Sequence, residues 1–187
     1  MARGAYSFLA VNAPVEADIL VVEGWMTDEY HKAVKELAGE GGYELVITTG
    51  GPLRRGHYLI EYRSYAELTA ASLMAMGVEA SKLQAVPAPD VKRDRTFHSA
   101  RAVRKWLDDH QRETAAVDVV TLGAHGRRTQ LLYRMAMGPG HPVGVISLTA
   151  DSFDQAQWWR YSAGVRLVIG EMLGYAYARL FFSPDEA

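Results

Sequence analysis

Residues 117–138 read VDVVTLGAHGRRTQLLYRMAMG, and the two halves of this stretch have different periods. VDVVTL is a β-branched apolar run of strand length, whereas RRTQLLYRMAMG carries its apolar residues at helical spacing and ends on a glycine. At the seam stand His125, Arg127 and Arg128, beside Gly123 and Gly126. Cations in the first turn of a helix oppose its dipole, so this seam calls for something negative.

Working outward, the same alternation recurs. Upstream, ADILVVEGW (17–25) is a first strand ending in a Gly turn. TDEYHKAVKELAGEGG (27–42) then reads as a helix with Thr27 as N-cap, Tyr30, Val34, Leu37 and Ala38 on one apolar face, and Gly41-Gly42 as the stop. YELVITTGGP (43–52) is a second strand, and 53–63, LRRGHYLIEYR, reads as a long loop or lid. Ser64 to Gly77 is the best-punctuated helix, with Ser64 and Glu67 at capping-box spacing. LQAVPAPD (83–90) is a short third strand, after which Thr96 is the expected cap of a helix turning Ala100, Val103 and Leu107 inward. Downstream of the opening stretch, PVGVISLTAD (142–151) is a fifth strand, and the rest is mainly helical, entered through WWRYS (158–162). Five apolar strands alternating with amphipathic helices predict an α/β fold: a doubly wound parallel sheet covered on both faces, in a single domain over 1–187.

Composition narrows the function. The chain has no cysteine, which removes disulfides, thiolate zinc sites and thiol nucleophiles, and it fits a cytoplasmic protein. A net charge of −2 argues against a nucleic-acid partner. The apolar stretch at Tyr6–Val11 is too short for a membrane span. The tail AGVRLVIGEMLGYAYARLFF (163–182) is long enough, but Arg166, Glu171 and Arg179 interrupt it. A largely buried helix is the expected reading, with peripheral membrane contact through this helix as the alternative.

Ligands of parallel α/β sheets bind outside the carboxyl ends of the strands. The segments that leave those ends hold most of the unusual polar, glycine and aromatic residues. Arg127 and Arg128 could grip an anion by paired hydrogen bonds together with the helix amides, or be solvated charges. His125 is a candidate acid, base or phosphate contact. Gly50 and Gly51 offer either an anion nest with Thr49 or a tight turn before Pro52. Arg95 and Thr96, with Ser99 a turn on, repeat the helix-start logic. Glu23, Gly24 and Trp25 border the central crevice, Glu23 as a catalytic carboxylate and Trp25 as a stacking surface or a packing residue. Glu67 is a capping residue with a second candidate role as base or ribose contact. Arg54, Arg55 and His57 would add positive potential from the lid, while Trp158 and Trp159 would anchor the C-terminal helix. No dinucleotide-binding, P-loop, HExxH or GxSxG motif is present. Asp90, Asp94 and His98 lie four apart, a weak metal signal.

Several of these motifs, in this order, resemble the YdcF/SanA/ElyC-like family, a bacterial group long described as a domain of unknown function. They are the Gly turn at Glu23-Gly24-Trp25, Thr49-Gly50-Gly51, the acidic helix start at Glu67, Arg95-Thr96, and His125-Gly126-Arg127-Arg128. WWRYSAGVR (158–166) resembles one branch, and the likeness extends over about 17–182. The chain departs from the family pattern at Glu23 and at His98-Ser99. The resemblance implies a Rossmann-like sheet, and it implies S-adenosylmethionine or a nucleotide as a candidate ligand.

Two function classes follow. In the first, the crevice binds a phosphate-bearing small molecule and hydrolyses or transfers the phosphate-containing group, with His125 as acid or base and Arg95, Arg127 and Arg128 stabilising charge. In the second, the chain is a non-catalytic nucleotide- or S-adenosylmethionine-binding protein with an envelope-related accessory role.

Overall fold

The structure, a computed structural model, describes residues 2–184 apart from His57 and Asp151. Its centre is one five-stranded parallel sheet in the order β3-β2-β1-β4-β5. The strands are β1 (Ile19–Glu23), β2 (Leu45–Gly50), β3 (Leu83–Pro87), β4 (Val117–Leu122) and β5 (Val143–Leu148). Around them lie α1 (Ala2–Leu9), α2 (His31–Glu40), α3 (Tyr65–Ala75), α4 (Arg95–Asp109), α5 (Gly126–Met137) and α6 (Ser162–Leu180).

The two-residue period of β1 explains the layers. Ile19 and Val21 join Ile47, Val103, Leu107 and Met137 in the core under α4 and α5. Leu20 and Val22 point the other way, with Val34 of α2, Leu73 of α3 and Val46. Both faces of the central strands are therefore buried, which is why they read as largely apolar runs, with Asp118 of β4 the buried exception, accepting from Val15 N–H and Tyr43 Oη–H. The chain winds outward from β1 to β3, then crosses back to place β4 beside β1. That reversal opens a crevice at the carboxyl ends of β1 and β4.

Three boundaries differ from expectation. Thr27 does not cap a helix: its hydroxyl donates to Glu29 Oε1 at 2.8 Å, and a 3-10 turn at Asp28–Tyr30 precedes α2. Thr96 is not the cap of α4 either. Asp94, in the left-handed region at φ 55°, precedes Arg95, so Thr96 lies inside the first turn. The residues around Tyr6 belong to a helix, α1, because Tyr6 and Leu9 have an apolar surface to bury against: Phe153, Trp158 and Val168. The capping box of α3 is formed as the spacing predicts, Ser64 Oγ accepting from Glu67 N–H at 3.1 Å. Among the described residues, no helix is long and apolar enough to cross a membrane.

α6 decides the shape of the site. It packs on α1 and α5, and Ala178 with Phe182 meets Phe97 of α4 and Leu132 of α5. The C-terminal helix thus becomes a wall of the crevice.

Candidate functional site

The crevice is a cavity of about 470 Å³. Its floor is built by the ends of β1 and β2 and the turn after β4, through Glu23, Thr49, Gly50, Gly51 and His125. Residues 91–96 and Ser99 supply one side, and Gly174, Tyr177, Ala178 and Phe182 supply the other. Arg54, Lys92, Arg93, Arg95 and Arg128 line it against two carboxylates, Glu23 and Asp94, so the walls carry an excess of positive charge.

Glu23 is the most deeply buried ionisable group lining the cavity, 3% exposed. Its carboxyl accepts from Thr121 Oγ1 at 2.6 Å and Thr129 Oγ1 at 3.3 Å, and from the Trp25 indole. Burial pushes its pKa up, against the downward pull of these hydrogen bonds and of Arg128. Behind it, Tyr133 is wholly buried with no hydrogen-bond partner among the described residues for its hydroxyl. Burial and the Glu23 charge keep that phenol protonated.

The seam at the start of α5 resolves into a four-residue cluster. Gly123, at φ +51°, turns the chain out of β4 where a side chain would be strained and would strike the Tyr6 hydroxyl. This turn delivers His125 and Arg128 to the crevice. Arg128 donates from Nε to Glu171 Oε2 at 2.7 Å and from Nη2 to Oε1 at 3.0 Å. Its guanidinium lies over Gly174, where a Cβ would stand 3.1 Å from its Cδ. Glu171 is therefore the negative group that the first-turn cation requires, supplied by the chain itself. Burial opposes the Arg128 charge, but the hydrogen bonds and charge of Glu171, with Glu23 and Asp94, outweigh it and raise its pKa.

His125 Nδ1 sits 3.1 Å from Glu171 Oε1 and 2.9 Å from Arg128 Nη2, and its ring stands 4.7 Å from the Trp25 ring. Burial, reinforced by the Arg128 charge and opposed by Glu171, pushes the imidazole pKa down to about 4. The ring is neutral at pH 7 and has one proton to place. On Nδ1, that proton is donated to Glu171 and leaves Nε2 as a base. On Nε2, it leaves Nδ1 to accept from Arg128.

The structure divides the remaining candidates. Arg127 leaves the crevice: its Nε donates to the Phe8 carbonyl at the end of α1, and its Cζ lies 4.0 Å from the Phe8 ring centroid. A cation at a helix C-terminus is favourable, so Arg127 serves α1. Glu67 is also outside. Its Oε2 accepts from the backbone of Arg63 and Ser64, both at 2.8 Å, and the first of these leads the causes that hold its pKa down. Gly24 lies under α3, where a Cβ would stand 2.7 Å from Tyr65 O, so it permits the helix to approach and does not line the cavity. Gly50 does both, lining the cavity and lying where a Cβ would come within 2.8 Å of Tyr65 Cβ. Thr49 lines the floor with its hydroxyl donated to Val86 O at 2.9 Å.

At the α4 side, Arg95, Thr96 and Ser99 line the cavity beside a helix start without a side-chain cap. Arg54 lines it too, paired to Asp90 at 2.7 Å, whereas Arg55 does not, and His57 lies outside the described residues. Among the described residues no cluster of carboxylates and histidines is arranged to hold a metal, and Asp90, Asp94 and His98 do not form one. Sequence reasoning missed Glu171, Lys92, Arg93 and the α6 wall, and it named Asp94 only as part of a weak metal signal. The one local signal was Glu171, the single acidic residue of a helix that is otherwise apolar but for Arg166 and Arg179.

No protein-family model matches the chain, and no curated protein matches it.

Proposed function

We propose that the crevice binds the phosphate of a small molecule and that the chain hydrolyses or transfers the phosphate-containing group. One observation carries this reading. A histidine held neutral sits beside a carboxylate and an arginine at the floor of a cation-lined cavity, with the uncapped start of α4 opposite. Helix-start amides and guanidinium groups are the donors that suit phosphate oxygens. With Nδ1–H donated to Glu171, Nε2 of His125 can take the proton of an attacking water as its oxygen bonds to phosphorus. The bond from phosphorus to the leaving oxygen then breaks, and Glu23, the carboxyl on the cavity floor whose pKa burial raises, can return a proton to that oxygen. The resemblance to the YdcF/SanA/ElyC-like family supports a ligand site at this end of the sheet and names no reaction.

A second reading has one observation in its favour. Arg128, the most enclosed cation of the cavity, is already neutralised by Glu171, to which it donates two hydrogen bonds. This suits a ligand of lower charge, such as S-adenosylmethionine, or a nucleotide held without chemistry. Phosphomonoesters, nucleoside diphosphates and prenyl diphosphates, assayed with and without magnesium against wild type and His125→Ala, separate the two. Turnover that falls ~10²–10⁴-fold in the variant with affinity preserved supports the enzyme. Saturable binding of a nucleotide or S-adenosylmethionine with no turnover on any class overturns it.

A further inference from the structure

We propose that the mouth of the crevice is a docking surface for an anionic lipid bilayer. This goes beyond phosphate binding, and its failure would leave that reading intact. Two separate apolar elements frame the mouth. The first is the loop between β2 and α3. Its base residue Arg54 lines the cavity, and Tyr58 and Leu59 stand 90% and 87% exposed beyond it, followed by Ile60. The second is α6, on which Ile169, Leu173, Tyr177 and Leu180 are exposed at intervals of three and four residues and so share one face. Phe181 continues it at 75% exposure, and Tyr177 belongs both to this face and to the cavity wall.

Single exposed apolar residues are ordinary, but a continuous face along a helix that walls the cavity, with a second exposed apolar segment in the loop that leaves the cavity at Arg54, marks a binding surface. Charge selects its occupant. The exposed charges of α6 are Arg166 and Arg179, because its one carboxylate, Glu171, is buried against Arg128. Segments 53–63 and 90–95 together hold six Arg and Lys against three Asp and Glu, on a chain whose net charge is −2. An apolar helix face flanked by arginines, with tyrosine at the border and cations around it, is the composition of an interfacial helix on an anionic membrane. In this arrangement the helix lies along the surface, its arginines extending to headgroup phosphates.

The test is co-sedimentation of the full chain with vesicles of phosphatidylcholine alone, or of phosphatidylcholine mixed equally with phosphatidylglycerol. Leu59→Ser/Ile60→Ser and Leu173→Ser/Leu180→Ser each change only exposed residues outside the cavity lining. Wild type is expected to bind the mixed vesicles, to bind neutral ones far less, and to be released by high salt. Each double variant should lose affinity about tenfold or more. Inorganic phosphate binding by calorimetry should stay unchanged in both variants, which separates this surface from the cavity. Equal binding to both vesicle types, no binding to either, or variants that bind as wild type would overturn the proposal. So would light scattering that shows a dimer of this chain lost in the α6 variant while vesicles remain unbound.

Discussion

Replacing Glu171 by glutamine keeps the side chain's size and removes its charge. In the native site one carboxylate oxygen takes Arg128 Nε at 2.7 Å and the other takes Nη2 at 3.0 Å. The amide oxygen can accept one of these bonds, but the amide nitrogen turns its own donors toward the guanidinium. Arg128 stays charged with its partner gone. Removing one member of a buried pair costs about 3–5 kcal/mol. The Arg128 side chain is 22% exposed in an open crevice, so water recovers part of this and the expected loss is about 3 kcal/mol. For a chain of this length that lowers the melting temperature by about 6–12 °C.

Inorganic phosphate gives a second arm. In the wild type Arg128 is committed to Glu171; in the variant it is free to meet an anion. Phosphate at tenfold its dissociation constant would return about 1.4 kcal/mol, or about 3–6 °C, to the variant. The same concentration should shift the wild type less. Scanning calorimetry at pH 7 reads both arms. A fall below about 2 °C would mean that the pair contributes only what an exposed one does. An equal phosphate shift in both proteins would mean that Arg128 and the anion do not meet.

Three further outcomes are expected. At pH 7 the His125 ring is neutral folded and unfolded; as pH falls through 6.5 the unfolded chain takes the proton and the native site does not until about 4, so this residue removes about 3 kcal/mol of stability across that window. His125→Asn should flatten that slope in urea titrations at pH 7 and pH 5, and an unchanged slope would assign it to other groups. Gly24→Ala drives a Cβ to 2.7 Å from the Tyr65 carbonyl oxygen and 2.9 Å from its carbon. It should destabilise by about 1–3 kcal/mol in the same titration, whereas a neutral result would mean that α3 can recede. Arg95→Ala should weaken phosphate binding about tenfold or more by isothermal calorimetry while Arg127→Ala leaves it within about twofold; the reverse ranking would return the anion to the α5 seam.

The sheet was legible because its evidence is local. β1 is apolar on both faces until Glu23, and β4 is broken only by the buried Asp118, so both read as strands, and each helix after them carries its own period and stop. The capping box at Ser64 and Glu67 is local as well. What escaped depends on partners far along the chain. Nothing in ARGAYSFL announces α1, whose Tyr6 and Leu9 gain their role only against Phe153 and Trp158. Thr96 was the expected cap because a hydroxyl preceded an apolar period, yet Asp94, another capping type, takes the boundary in a left-handed conformation and without a side-chain bond. Arg127 and Arg128 are neighbours in sequence but one turn of helix sends them to different elements, one to the end of α1 and one to α6. The dipole argument asks for a negative group there and reads it as a bound anion; for Arg128 the chain itself supplies one, Glu171, 43 residues on, in a helix read as largely buried.

On the proposed reading, that substitution moves the expected seat of the anion from the start of α5 to the start of α4 within the same crevice. At the start of α5, the cation that would greet a phosphate is already paired, and its neighbour has turned away. At the start of α4, Asp94 makes no side-chain cap, and Thr96 lies in the first turn with Ser99 one turn on. Arg95 and Lys92 line the cavity there, and neither forms a side-chain ion pair or hydrogen bond among the described residues. Helix amides without a cap, with cations beside them, are the donors an incoming anion can use at no cost to an existing bond. Arg128 and Glu171 then fix the α6 wall to α5 and hold His125 between them. On the proposed reading the phosphate rests at the α4 side of the cavity, with His125 on the floor beside it.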